Sequence, residues 1–176
     1  MMTVSCVNNI DEINKVTSVD NSPAESATDV EMLYSDSARI KVKLLSPELN
    51  RFYGERNYIE FPVGVDITFY DSIMKSSSKL TSGYAISYED TKIMEAKKNV
   101  IAINSKNEQL NTEHLVWDQN NKKLYSNVFV KITTPDKILF GDGLEADEQF
   151  SWYRIKKLRG TIYINTDSTQ TDTNSR

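Results

Sequence analysis

A repeat with a period of 29 residues constrains this chain more than any other feature of its sequence. Ile86, Leu115 and Leu144 are separated by that interval. A fixed period of this size indicates one supersecondary unit used several times, and its length suits about two strands and two turns. Because one such unit cannot bury its own apolar face, the copies are expected to pack together as one long sheet folded against itself.

Alternation of apolar and other side chains predicts strands in residues 40–44, 63–70 and 128–133. Strict alternation turns one row of side chains toward a core and the other row toward water. Lysine and arginine occur in the outer rows, which favours antiparallel pairing with one wet face over a buried parallel sheet. The predicted fold class is therefore all-β and antiparallel, and a closed barrel, a sandwich and an open folded sheet all fit.

The two ends differ in composition from the middle of the chain. Residues 1–33 are rich in polar side chains and are expected to form a largely flexible N-terminal tether. Residues 165–176 contain no hydrophobic side chain and are expected to be a disordered tail. The folded β domain is therefore predicted to cover residues 34–164.

Charge and cysteine content argue against several classes of protein. The formal net charge is -4, whereas a nucleic-acid-binding protein usually shows a basic excess or stripe. Cys6 is the only cysteine, so no disulfide can form within the chain. No apolar run reaches the ~18 residues that mark a membrane-spanning helix.

Residues suited to catalysis are present but form no recognisable constellation. His114 is the only histidine and is expected to be an exposed strand residue. Because there is one histidine, a metal site built from several histidines is ruled out. Glu89, Asp118 and Asp147 recur with the repeat, which favours turn capping over catalysis. No phosphate-binding loop, dinucleotide-binding glycine motif or serine-nucleophile motif occurs. The chain is therefore predicted not to be an enzyme and to use no metal or cofactor.

Two short motifs near the C-terminus are expected to lie at an edge and a bend of the sheet. Residues 154–159 are the densest basic cluster, and they predict either a late strand whose charges keep an edge soluble or a phosphate-facing patch. Gly141 and Gly143 flank Asp142 in a chain with only 6 glycines, and they predict a bulge or a sharp bend of the backbone.

Several motifs between residues 34 and 164 resemble the LptC family of the lipopolysaccharide export machinery, whose wider fold group includes LptA and the OstA-like domain of LptD. The motifs form a pattern spread over the domain rather than a single catalytic signature. They are Tyr34-Ser-Asp-Ser, Tyr58-Ile-Glu-Phe-Pro62, Val65-Asp-Ile-Thr-Phe-Tyr-Asp71, Leu80-Thr81, Ala96 to Val100, Leu110-Asn-Thr-Glu-His-Leu-Val-Trp-Asp118 and Leu139-Phe-Gly-Asp-Gly-Leu-Glu145.

The resemblance implies a twisted, open jelly roll that holds the acyl chains of lipopolysaccharide between two facing sheets. The implied partners are lipopolysaccharide, the inner-membrane ABC transporter that supplies it and an LptA-like bridge protein that receives it, each protein docking at one edge. The implied inner wall consists of apolar residues from the alternating rows and the repeat: Ile40, Val42, Val65, Ile67, Phe69, Ile86, Tyr88, Leu115, Trp117, Val128, Val130, Ile132 and Leu144.

The resemblance also implies a periplasmic protein tethered to the inner membrane, although the transmembrane helix that usually begins members of the family is not found in this sequence. Thr3-Val-Ser-Cys6 resembles the end of a lipoprotein signal, which makes Cys6 a candidate lipidation site and the following residues a tether. The alternative is a free cysteine in an unstructured terminus.

Two functions from different classes therefore stay open. The first is non-enzymatic transfer of lipopolysaccharide through an apolar groove between two sheets. The second is a structural or adhesive periplasmic β-domain with a solid core. They differ in the interior, because only the first requires a gap between apolar layers.

Overall fold

The computed structural model of the chain describes residues 22–164, and all regular secondary structure in that range is β-strand. The strands pair antiparallel in one 12-stranded sheet. The predicted all-β, antiparallel, folded sheet is therefore confirmed. The strands are β1 (Glu25–Asp36), β2 (Arg39–Phe52), β3 (Tyr58–Phe61), β4 (Val65–Tyr70), β5 (Ser76–Ser82), β6 (Tyr84–Tyr88), β7 (Ile93–Asn104), β8 (Gln109–Asp118), β9 (Lys123–Thr133), β10 (Lys137–Asp147), β11 (Tyr153–Ile155) and β12 (Leu158–Tyr163).

Long strands bend midway and contribute one half to each of two facing layers. The first half of β7 pairs with β6 and the second half pairs with β5. In the same way β2 divides between β4 and β3, and β10 divides between β12 and β11. We call the layer that contains β4, β5 and β12 layer 1, and the layer that contains β3, β6 and β11 layer 2. Apolar side chains of both layers meet inside the folded sheet and form one core.

Irregular backbone marks the bends. In β7, Lys98 and Asn99 have φ angles of 64° and 52°, and the register with β8 shifts just there. In β10, Gly143 has a φ of 103°, and a Cβ at this position would lie 2.9 Å from the carbonyl oxygen of Ser126. Bulges of this kind bend a strand and increase its twist, so they redirect the chain from one layer into the other. At position 143 only glycine satisfies both the backbone angle and the space.

The sequence repeat corresponds to the successive hairpins β6–β7, β8–β9 and β10–β11. Their turns lie side by side at the end of layer 2. The Gln119 amide donates a hydrogen bond to the Lys92 carbonyl oxygen (3.1 Å), and the Glu148 amide donates to the Lys122 carbonyl oxygen (3.2 Å). Each turn is thereby fixed against the next.

One member of the repeat faces the wrong way for the predicted inner wall. Leu115 and Leu144 are buried in the core, but Ile86 lies on the outer face in a row with Glu60 and Glu95. The first turn occupies residues 89–92 and the second occupies residues 119–122, so the second comes one residue later than the period requires. A shift of one residue moves a strand side chain to the opposite face, and Ala85 takes the inward position instead.

The predicted N-terminal boundary is wrong, because residues 25–33 belong to strand β1 rather than to a flexible tether. β1 pairs with β2 from Glu25, opposite Arg51, to Asp36, opposite Arg39. Nearly every β1 side chain is exposed, in keeping with the polar composition of the strand. Backbone hydrogen bonds to β2 therefore stabilise β1 more than burial does. Residues 1–21 and 165–176 lie outside the described residues, and the predicted tether and tail there stay predictions.

Two valines that alternation assigns to the sheet interior are exposed. Val63 lies in the turn before β4, where Gly64 has a φ of 97°. Val128 lies at the bend of β9, where its amide donates a hydrogen bond to the Ser126 hydroxyl oxygen (3.3 Å) and the register with β8 shifts. In both places a local irregularity interrupts the period of two, so Val128 does not belong to an inner wall.

Candidate functional site

A cleft of about 600 Å³ opens between the two layers, on the side where the strands end in hairpin turns. Its volume lies within the range of ~300–1,000 Å³ that is usual for ligand sites in proteins. The floor is apolar and comes from both layers: Val42, Leu44 and Phe69 of layer 1, and Ile59, Phe61, Met94 and Trp117 of layer 2.

The two layers touch at the floor through an aromatic pair. The rings of Phe69 and Trp117 are 5.1 Å apart between centroids and meet edge to face at 76°. The Trp117 indole N–H is buried and has no hydrogen-bond partner among the described residues. The two rings therefore form the base of the cleft, where the two layers meet.

One wall of the cleft comes from β1, whose residues 25–33 were predicted to belong to the tether. The Met32 and Tyr34 side chains line it and are 38% and 64% exposed. Met32 and Tyr34 lie opposite the inward-facing Leu44 and Val42 of β2, whereas Leu33 lies opposite Lys43 and points to the outer face. The β1 wall therefore extends the apolar surface of the floor toward solvent.

The rim of the cleft is charged. Lys41 of β2 stands on the layer 1 side, while Lys92 and Lys122 come from the turns of layer 2. The acids Asp36, Glu89 and Glu148 line the same cleft. Charged groups thus surround an apolar floor, an arrangement suited to a ligand with a long apolar part and a polar head.

The other end of the interior is closed by Phe150, which lies in the loop between β10 and β11 and is fully buried. The Asn104 side-chain amide, at the end of β7 in layer 1, donates a hydrogen bond across the gap to the Phe150 carbonyl oxygen (2.9 Å). The same amide donates to Glu108 (2.7 Å). Because this loop bridges the layers, the cleft stops at residues 148–149 and does not run the full length of the sheet.

Tyr153 reinforces the closed end. Its ring stacks on Phe150 at 5.1 Å between centroids, and its hydroxyl donates a long hydrogen bond to Glu108 (3.4 Å). Burial, together with the negative charge of Glu108, raises the pKa of Tyr153 to about 12. The phenol therefore stays protonated at neutral pH and keeps this contact.

The residues predicted as an inner wall divide into several groups. Val42, Phe69 and Trp117 line the cleft, whereas the Tyr88 side chain lies with Ile86 on the outer face, beside Tyr58 at 6.4 Å between ring centroids. Ile40 is half-buried on β2, and Ile86 and Val128 do not face the interior. The remaining members are buried in the packed core outside the cleft: Val65, Ile67, Leu115, Val130, Ile132 and Leu144.

Sequence reasoning missed several lining residues. Ile59 and Phe61 alternate with Tyr58 and Glu60 in the family motif at residues 58–62, and this alternation predicts that both side chains face the interior. Met94 is inward for the same reason in β7. The β1 wall had no such signal, because its neighbours in sequence are polar.

The titratable residues singled out in the sequence play structural roles. The Asp118 carboxylate accepts hydrogen bonds from the Asn121 amide (2.9 Å) and side chain (2.7 Å), and the Asp147 carboxylate accepts one from the Ser151 amide (2.7 Å). These contacts confirm turn capping for two of the three acids. Glu89 instead lies 3.6 Å from Arg51 in an ion pair.

His114 lies on the outer face of layer 2, half-buried beside Glu95 at 3.0 Å. Hydrogen bonds from Lys97 and then from His114 hold the pKa of Glu95 below its usual value. Within residues 22–164 no three His, Cys, Asp or Glu side chains come close enough to hold a metal ion.

The basic C-terminal segment lies in β11 and β12 at the edge of the sheet. Lys156 contacts Glu145 (3.1 Å) and Arg159 contacts Asp142 (2.7 Å). Since these cations pair with acids of the neighbouring strand β10, the contacts favour the soluble-edge interpretation of the segment. At Gly141 an added Cβ would lie 2.2 Å from the Ile155 side chain, so the backbone there must approach β11 closely.

The described part of the chain contains no helix long and apolar enough to cross a membrane. A search of curated proteins finds no match. The family model described as "Lipopolysaccharide-assembly, LptC-related" matches residues 2–163, which is nearly the whole sequence and includes the strand β1. The chain therefore belongs to the LptC-related family, whose members are periplasm-facing, inner-membrane-associated components of lipopolysaccharide transport.

Proposed function

We propose that this protein binds lipopolysaccharide by its acyl chains in the cleft between the layers and passes it from the inner-membrane ABC transporter to an LptA-like bridge protein. The observation that carries the proposal is the apolar floor that both layers share and that opens to solvent at one side. Hydrocarbon gains about 0.8 kcal/mol for each CH₂ group removed from water, so acyl chains favour such a surface.

The side opening suits a ligand that is part hydrocarbon and part polar. The tails can lie on Val42, Phe69 and Trp117 while the head remains at the charged rim. A ligand held in this way can enter and leave sideways, without being threaded through a closed pore. Membership of the family supports the choice of lipopolysaccharide as this ligand.

The two edges of the sheet are the proposed docking sites for the protein partners. β1 pairs with β2 on one side only, and among the described strands nothing pairs with its other side. At the opposite edge β11 and β12 each pair only with β10. A free strand edge accepts another strand through backbone hydrogen bonds. The transporter is proposed to meet the β1 edge and the bridge protein the β11–β12 edge.

A structural or adhesive β-domain is the competing proposal, and the closed end of the interior favours it. Leu110, Val130, Ile132 and Phe150 are all fully buried there, which is the packing of a solid core. A purely structural domain does not require the open cleft at the other end. The two proposals therefore differ in whether the cleft takes up lipid.

Photo-crosslinking tests this difference directly. We expect p-benzoylphenylalanine placed at Tyr34 or at Trp117 of the purified protein to label lipopolysaccharide, because both side chains line the cleft. Phe129 and Tyr163, which are 50% and 75% exposed outside the cleft, are the matched aromatic controls. Equal labelling from the two pairs, or labelling from the controls alone, would count against lipid binding in the cleft.

Attachment to the inner membrane is part of the proposal, through a lipid on Cys6 or through a segment that precedes it. Cys6 lies outside the described residues, so its lipidation stays a prediction from sequence. Mass spectrometry of the protein recovered from membranes tests it, since a lipidated Cys6 carries acyl mass. An unmodified Cys6 in membrane-bound protein would assign the attachment to another segment.

A further inference from the structure

Three lysines at the mouth of the cleft have no acidic partner among residues 22–164. Within residues 22–164 the ion pairs engage cations such as Lys43, Lys79 and Lys156, but none of them involves a lysine of the rim. An unpaired cation is ordinary on an open surface. Three unpaired lysines from two layers around one apolar cleft form an arrangement that suits an anionic ligand. The rim lysines are Lys41, Lys92 and Lys122.

Two of these lysines occupy a backbone conformation that other residues adopt more easily. Lys92 has a φ of 58° and Lys122 has a φ of 53°, each at the last position of its hairpin turn. Glycine and asparagine fill left-handed turn positions at lower cost than lysine does. Lys98 and Lys157 adopt the same conformation outside the cleft, so only the position of Lys92 and Lys122 beside the apolar floor distinguishes these two lysines.

The positions of both lysines are fixed by the neighbouring turns. The carbonyl oxygen of Lys92 accepts the amide of Gln119, and that of Lys122 accepts the amide of Glu148. The two side chains therefore rise from adjacent, mutually bonded turns along one side of the cleft. Lys41 stands on the other layer, so the three cations flank the opening from both sides.

The acids of the rim do not cancel these charges. Glu89 is already engaged by Arg51 at 3.6 Å, and Asp36 accepts a hydrogen bond from the Ser37 hydroxyl (3.1 Å). Glu148 makes no ion pair among the described residues. With the Glu89–Arg51 pair set aside, the rim has three lysines against two carboxylates, and so carries an excess of positive charge.

We propose that Lys41, Lys92 and Lys122 bind the phosphate groups of a lipid headgroup, while the acyl chains of the same molecule lie on the apolar floor. The proposal rests on the proposed function and adds which part of the ligand each region holds. Lysine binds phosphate as a point charge and accepts many approach geometries. Phosphate contacts at the mouth would hold the lipid in one orientation, with its head outward.

Binding of two lipids that differ only in phosphate tests the proposal. Purified full-length protein is titrated with lipid A carrying its phosphates and with the same lipid after enzymatic dephosphorylation. We expect the double variant Lys92→Gln, Lys122→Gln to lose roughly five- to tenfold in affinity for the phosphorylated lipid, as two solvent-facing ion pairs allow. Its affinity for the dephosphorylated lipid should match that of the wild type, and the wild-type preference should weaken with added salt.

The double variant Lys131→Gln, Lys157→Gln is the matched control. Lys157 also has a left-handed φ, of 45°, and both lysines lie outside the cleft and form no ion pair among the described residues. It removes the same charge and should leave both affinities unchanged. An equal loss in the two double variants would assign the effect to net charge and overturn the proposal.

The remaining outcomes separate this proposal from the function on which it rests. If the wild type binds both lipids but the Lys92, Lys122 variant shows no selective loss, the phosphate site is wrong and lipid binding stands. If the wild type binds neither lipid, both proposals fail. If inorganic phosphate alone displaces the lipid at comparable concentrations, the rim holds free phosphate and not a lipid headgroup.

Discussion

Replacing Phe150 with alanine tests the claim that one side chain closes the interior. Phe150 is fully buried, its ring stacks on Tyr153 at 5.1 Å, and its carbonyl is bonded by Asn104 across the two layers. Truncation of a buried phenylalanine costs about 3–5 kcal/mol, of which the stacked pair supplies roughly 0.5–1.5. We expect Phe150→Ala to fall in this range, because a loop held on both sides is poorly able to collapse into the space.

Urea unfolding measures this loss. With a dependence on urea of ~2 kcal/mol per molar, usual for a domain of this size, the midpoint should fall by about 1.5–2.5 M. The chain has 2 tryptophans, Trp117 in the cleft and Trp152 in the β10–β11 loop, so fluorescence should be read together with circular dichroism. Coincident transitions would show that the loop unfolds with the whole sheet.

Phe129→Ala is the matched control for this experiment. Phe129 also stacks on another ring, Phe140, at 6.1 Å between centroids, but half of its surface is exposed and it lies outside the core. Its truncation should cost less than about 1 kcal/mol. If Phe150→Ala also lowers the unfolding free energy by less than about 1 kcal/mol, Phe150 packs no more tightly than a surface residue, and the claim that it closes the interior is refuted.

Two further changes test the bends and the outer face. Gly143→Ala should destabilise the fold by roughly 1–3 kcal/mol in thermal unfolding, because φ is 103° and a backbone oxygen lies 2.9 Å from the new Cβ. Gly160→Ala is the control and should be nearly neutral, because nothing lies within 4 Å of its added Cβ. Similar losses in the two variants would show that the bend at Gly143 tolerates a side chain. The pKa of Glu95 is held low in the folded state, so its contribution to stability is complete above the pKa of the unfolded chain, ~4.3, and is lost as pH falls through the folded value. Glu95→Gln should therefore flatten the decline in unfolding free energy below about pH 4.5, and an unchanged acid limb would contradict the shift.

Several strands and part of the core could be predicted from the sequence because they depend on local pattern. Val42, Ile67 and Phe69 face inward as their alternation indicates, and Leu115 and Leu144 are buried at repeated positions. Period two is a direct consequence of strand geometry, so it needs no knowledge of the partner strand.

Other features could not be predicted because they depend on contacts that are distant in sequence. Phe150 is surrounded in sequence by polar residues that indicate a loop, and its burial depends on Asn104, which lies 46 residues earlier. The strand β1 has weak β propensity and forms because β2 offers it an edge, which is a tertiary effect that composition does not reveal. The face of Ile86 depended on a turn placed one residue away from the period.

The extent of the cleft follows from how the third repeat departs from the first two. The β6–β7 and β8–β9 turns each hold four residues, 89–92 and 119–122, whereas the β10–β11 loop holds five, 148–152. In the shorter turns the residue with left-handed backbone is a lysine at the rim, but in the longer loop it is Phe150, and its side chain enters the core. Asp147 fixes that loop by accepting the amides of Ser151 (2.7 Å) and Trp152 (3.1 Å), so the aromatic ring is held inward. One added residue and one change of side chain therefore end the cleft, and the apolar floor stays open only beneath the two repeats whose turns are short.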